Sequence, residues 1–153
     1  MGAGVQAAIT GFNAGAHVLQ GLTSDRRLLG EALGRIDTAS TTRLDLAVAA
    51  GKAVLTGEEH RSDNATALVL LTDGRANPIG PEVAVARAAE AKAAGTTLFT
   101  IGLGEDLDVA ALGAIASKPA YFYRAPDAAD LAAIYRAIAV ELPCPGRQFW
   151  AGR

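Results

Sequence analysis

Apolar positions along the chain follow two rhythms, and the two alternate. The plainest is the continuous run Ala67-Leu68-Val69-Leu70-Leu71, which stops abruptly at Thr72-Asp73-Gly74. An apolar run without polar interruption predicts a strand covered on both faces, as in a parallel sheet. Thr97–Ile101 repeats the signal and ends in Gly102-Leu103-Gly104, and Ala120–Tyr123 predicts a third short strand. Between and after these strands the period is helical. One helix is predicted from Pro81 to Ala94 with Gly95 as its stop, and another from Asp108 to Ser117. A last helix runs from Asp127 to Leu142, where Pro143-Cys144-Pro145 breaks it. Upstream, Val5–Phe12 and His17–Leu22 read as two strands joined through the Asn13-Ala14-Gly15 turn. Leu28, Leu29, Leu33 and Ile36 then recur at helical spacing, with Ser24 or Asp25 as the cap. A further helix, Leu44 to Leu55, is opened by Ser40-Thr41-Thr42, and the polar stretch 57–64 (GEEHRSDN) is a solvent-facing loop.

Strands alternating with helices through right-handed crossovers imply an α/β fold: a doubly wound, largely parallel sheet with helices on both faces. The expected organisation is one domain over residues 1–143, with 144–153 as a tail or linker stub carrying Trp150. Half the residues are hydrophobic but only 5% are aromatic, so alanine and aliphatic side chains must build the core. A formal charge of -2, with basic residues only in thin spots such as Arg26-Arg27, Lys52 and Arg147, leaves no electrostatic footprint for nucleic acid. Cys144 is the only cysteine, so no internal disulfide forms, and it is either an idle thiol or a partner for a cysteine elsewhere. No apolar run reaches the roughly 18 residues that would span a bilayer, and the N-terminus lacks the basic start of a signal peptide. The chain is therefore not expected to insert in a membrane, and its compartment is not readable.

In doubly wound sheets, ligands bind beyond the carboxyl ends of the strands. Asp73 stands at such an end, a carboxylate leaving an apolar strand into a glycine turn. A hard cation such as Mg²⁺ takes oxygen ligands of this kind, and Thr42, at the start of a helix, offers a hydroxyl. Plainer roles compete: Asp73 capping its turn and Thr42 capping its helix are both common.

Several segments in order resemble the von Willebrand factor type A domain. Leu70-Leu71-Thr72-Asp73-Gly74 is similar to the strand and loop whose aspartate belongs to that family's metal-ion-dependent adhesion site. Thr42-Arg43-Leu44 followed by Ala47-Val48 resembles the threonine segment that supplies a second loop of the site. Phe12-Asn13-Ala14-Gly15-Ala16 and Leu22-Thr23-Ser24-Asp25 match an early hairpin and the start of the helix behind it. Ile101-Gly102-Leu103-Gly104 with the helix from Asp108 to Ala116 resembles the fifth-strand region, and Asp130-Leu131 with Ile134-Tyr135 the closing helix. The likeness implies a binding module rather than an enzyme, with Asp73 and Thr42 as metal-site residues. It also implies Mg²⁺ or Mn²⁺ in a complete parent domain, and a protein partner that offers an acidic residue.

One departure matters. The family's first strand carries Asp-x-Ser-x-Ser, and this sequence contains no such motif. The chain begins directly before what matches the second strand. The resemblance thus implies a domain without its central first strand, with two unpaired edges and an incomplete metal site that the chain alone would not hold tightly. Two alternatives follow: a degenerate scaffold that binds no metal, or a metal-assisted hydrolase or phosphotransfer enzyme of the same topology with Asp73 as ligand or nucleophile. The enzyme should show a second strand-end carboxylate or a phosphate-gripping lysine loop, and neither is present. Gly2-Ala3-Gly4 lacks the preceding strand of a dinucleotide fingerprint, and no serine sits in Gly-x-Ser-x-Gly. His17 and His60 have no metal-ligand pattern around them. Glu58-Glu59 reads as a solvated loop, and Asp106 and Asp108 as helix-start carboxylates.

Overall fold

The computed structural model describes residues 5–37 and 39–142. Pro143, Cys144, Pro145 and Trp150, and the Gly2-Ala3-Gly4 stretch, lie outside the described residues. An antiparallel hairpin comes first: β1 (Ala7–Phe12) pairs with β2 (Ala16–Thr23). Its turn is closed by Asn13, whose side chain accepts a hydrogen bond from Gly15 N. Helix α1 (Arg26–Leu33) follows, capped by Asp25 rather than Ser24. The later elements are α2 (Leu44–Leu55), β3 (Ala67–Thr72), α3 (Pro81–Ala93), β4 (Thr97–Leu103), α4 (Val109–Ile115), β5 (Phe122–Ala125) and α5 (Leu131–Glu141).

Strands β3, β4 and β5 form a parallel sheet in that order, in register from Ala67 opposite Thr97 to Leu103 opposite Ala125. Successive residues of β4 serve opposite faces, which explains the unbroken apolar run. Leu98 joins Leu68 and Leu70 beneath α2, α3 and α4. Phe99 and Ile101 join Ala125 beneath α5, through Ile134 and Ile138. Phe99 is fully buried, its ring 4.3 Å from that of Tyr121. Helices therefore cover both faces of the parallel sheet, as the pattern predicts. Alanine supplies the close packing: Ala84, Ala88 and Ala91, one face of α3, are fully buried. Among the described residues, no helix is long and apolar enough to cross a membrane.

Two local expectations are corrected. The strand at 120–123 begins as a 3-10 turn, Pro119–Tyr121, because Pro119 starts a tight turn, and β5 pairs only from Phe122. The last helix is likewise preceded by a 3-10 turn, Ala128–Asp130, in which the Asp127 carboxylate accepts from Ala129 N.

The sheet is divided. Among the described residues, β1 pairs only with β2 and β3 only with β4, so no ladder joins the hairpin to the parallel sheet. Helix α2 lies across both and is the main element linking them. Every residue of β1 is only partly buried, and Val69 on β3 is 36% exposed.

Candidate functional site at the strand ends

The carboxyl end of β3 is shaped by Thr72, which is buried while Asp73 is exposed. The Thr72 hydroxyl accepts a hydrogen bond from Gly74 N (3.3 Å) and donates one to Gly74 O (3.2 Å). Threonine, not aspartate, therefore holds the turn, and the Asp73 carboxylate points out of it unspent. The same is true of Thr42. Helix α2 has Arg43 at its cap position and no side-chain capping hydrogen bond, so the expected capping by the Ser40-Thr41-Thr42 cluster does not occur. The Thr42 backbone instead pairs with the β3–α3 loop: its N–H donates to Asn77 O and its carbonyl accepts from Asn77 N, both at 3.0 Å. Asn77 also donates through Nδ2 to Ser40 O at 2.9 Å, and its peptide bond to Pro78 is cis. These bonds seat the Thr42 hydroxyl against the turn, where its Oγ1 lies 3.6 Å from the position a Cβ on Gly74 would take. The Thr42 hydroxyl is thus placed against Gly74, the residue after Asp73, and neither Thr42 nor Asp73 caps its own element.

Around them stand groups that sequence reading missed. Arg43 Nε and Nη2 donate to the two oxygens of Asp45 at 2.8 and 2.7 Å, and Asp45 is buried in the first turn of α2. That bidentate bond holds the Asp45 carboxyl below the usual carboxylate range, against the opposing effect of burial. The pair fixes the residue after Thr42, and Arg43 N donates to Asn13 O (3.0 Å), tying the hairpin to the same point. Arg75 Nε donates to Asp106 Oδ1 at 2.8 Å, joining the β3–α3 loop to the β4–α4 loop across the rim. Asp108 is the helix-start carboxylate expected of it, accepting from Ala111 N, whereas Asp106 is an ion-pair partner. Thr41 Oγ1 is buried and has no hydrogen-bond partner among the described residues. His17 lies exposed on β2 and His60 in the loop after α2. Glu59 is not merely solvated, since its carboxylate accepts from Leu22 N at 3.1 Å.

The donor chemistry suits a hard cation, because a carboxylate and a hydroxyl are both oxygen ligands. The number of donors does not. Among the described residues no group of three His, Cys, Asp or Glu is placed to hold a metal ion.

With the split α/β sheet and this strand-end pair in place, the class is settled by comparison. The family model for the von Willebrand factor type A domain matches residues 2–137, and the chain belongs to that family. Proximal thread matrix protein 1 from the mussel byssus, in a structure with a zinc-occupied MIDAS motif, is similar at 20% identity and a TM-score of 0.77; the match covers 90% of this chain and 36% of that one. A von Willebrand factor type A protein from Catenulispora acidiphila is 23% identical with a TM-score of 0.73, over 88% of this chain and 33% of that one. The vWF domain of the type V pili tip protein Mfa5 from Porphyromonas gingivalis is 14% identical with a TM-score of 0.78, over 93% and 82%. The chain thus spans about a third of the length of the byssus and Catenulispora proteins. No curated protein matches.

Proposed function

We propose that this chain is a protein-binding module that meets its partner at the strand ends, with Asp73 and Thr42 as two members of a metal-dependent gripping site. The observation that carries this reading is the placement of the Thr42 hydroxyl against Gly74, the residue after Asp73, with neither Thr42 nor Asp73 capping its own element. The fold shared with a pilus-tip protein and with a byssus matrix protein, the latter with zinc in its MIDAS motif, supports an interaction role. Asp73 would contribute a carboxylate oxygen and Thr42 a hydroxyl to Mg²⁺ or Mn²⁺, and an acidic side chain on the partner would supply another oxygen.

Two oxygens hold such an ion weakly. One exposed carboxylate attracts a divalent ion at 4 Å by about 2 kcal/mol in water. That corresponds to a dissociation constant on the order of tens of millimolar. The same shortfall favours the second reading, a metal-independent interaction scaffold. Paramagnetic line broadening by Mn²⁺ in NMR spectra separates the two. The expected result is selective broadening of the Thr42, Asp73 and Gly74 amides at millimolar Mn²⁺, abolished by Asp73→Ala. Broadening centred elsewhere, or unchanged by the substitution, would remove Asp73 from the site and leave the scaffold reading.

A further inference from the structure

Strand β2 departs from regular pairing twice, and each departure is held by a charged side chain from another part of the chain. The register moves three residues along β2, from Thr23 to Gln20, against two along β1, from Ala7 to Ile9. It then moves two residues, from Gln20 to Val18, against one, from Ile9 to Thr10. Each step puts one surplus residue into β2, as a β-bulge does. The residues of β2 left out of the register are Leu19, Gly21 and Leu22.

Backbone groups of these same three residues are taken by side chains. Leu19 O accepts from Arg35 Nη2, Gly21 O accepts from Gln20 Nε2 at 3.2 Å, and Leu22 N donates to Glu59 Oε2 at 3.1 Å. Arg35 lies just past α1 and Glu59 in the loop after α2, so both bonds reach far along the chain. Gly21 makes room for the second of them, since a Cβ there would stand 2.7 Å from Glu59 Oε2. Among the described residues β2 pairs with β1 alone, so its other side is a sheet edge. That edge has apolar surface to offer, with Val18 51% exposed. An open edge is a template for another strand, and bulges and charged side chains are the usual means of spoiling it.

We infer that Arg35 and Glu59 close the edge of β2 against pairing with a second copy of this chain. Their guanidinium and carboxylate occupy a carbonyl and an amide that the bulges release from the hairpin. A second strand laid along Leu19 to Leu22 would have to displace both side chains and strip water from two charges, which is costly unless each finds a new partner. The closure involves neither Asp73 nor Thr42, and it does not rest on the proposed gripping site.

Sedimentation velocity over a range of concentrations, paired with amide hydrogen exchange, tests this on the full chain. The variants are the double substitution Arg35→Ala with Glu59→Ala, and Gly21→Ala alone. The second keeps both charged side chains and pushes the Glu59 carboxylate off Leu22 N by contact. The double variant should associate at concentrations at which the parent does not. Exchange of its amides from His17 to Leu22 should slow at least tenfold as concentration rises. Gly21→Ala should show the same protection at higher concentration. A double variant that associates no more than the parent would overturn the proposal, and so would association that protects another segment instead. Protection of β2 in the parent that grows with concentration would also overturn it, because the edge would then be open already. If the double variant unfolds, seen as lost protection in β4, Gly21→Ala decides: concentration-dependent protection of β2 upholds the closure, and its absence refutes it.

Discussion

Phe99→Ala should lower the unfolding free energy by about 3–5 kcal/mol, the usual range for truncating a buried phenylalanine. Phe99 is fully buried on β4, meets the Tyr121 ring at a tilt of 36°, and packs with Ile101, Ala125, Ile134 and Ile138 beneath α5. Tyr121 precedes β5 and cannot move far into the vacated space, because its hydroxyl donates to Glu141 at 3.2 Å and accepts from Lys118 at 3.3 Å. The cavity should therefore stay open, which places the loss toward the upper part of the range. Domains have stabilities of about 5–15 kcal/mol, so a loss of this size removes most of the stability of a domain at the low end of that range. Urea denaturation followed by far-UV circular dichroism checks this. A loss below about 1 kcal/mol would mean that the α5 face of the sheet is not packed as described.

Gly102→Val is the second large effect, and it arises from too much volume. Gly102 is buried on β4 between Thr72 of β3 and Arg124 of β5. A Cβ there would stand 2.5 Å from Leu107 Cδ1 and 3.1 Å from Leu112 Cδ1. Both leucines are themselves buried, so they have little room to swing aside. Overpacking of this kind costs about 1–3 kcal/mol, and the β-branched side chain adds two carbons beyond the clashing one. The strain should fall on the β4–α4 loop, which carries Leu107 and also Asp106, the partner of Arg75. Chemical-shift changes in the variant should accordingly extend from Leu107 to Arg75 across the rim. A variant as stable as the parent would show that the loop is not pressed against the strand.

What could be read from the sequence follows from how local each determinant is. The run from Ala67 to Leu71 announces a doubly covered strand, and with it the strand-end position of Asp73, because burial on both faces leaves its mark on consecutive residues. The buried alanines of α3 are visible at helical spacing for the same reason. Helix capping was less legible. Three hydroxyl residues before α2 look like a cap, yet the backbone of Thr42 is drawn into a bridge with Asn77, which lies in a distant loop. The ion pair of Arg75 with Asp106, and the tether from Glu59 to Leu22, join residues whose separation along the chain has no periodic signature. Arg43 and Asp45 are neighbours in sequence, but only the fold shows that their side chains meet. The absence of an Asp-x-Ser-x-Ser motif implied unpaired strand edges, and among the described residues the hairpin and the parallel sheet share no ladder. It could not show that α2 would contact both parts.

The central claim is that Asp73 and Thr42 form part of a metal-dependent site with too few oxygens to retain the ion by themselves. Isothermal calorimetry of Mg²⁺ and Mn²⁺ into this chain tests it most directly. The account predicts no saturable binding below the millimolar range, with the weak heat at higher concentration lost in Asp73→Ala. Saturable binding at micromolar concentration would contradict it, because it would require a set of ligands beyond the carboxylate and hydroxyl placed at these strand ends.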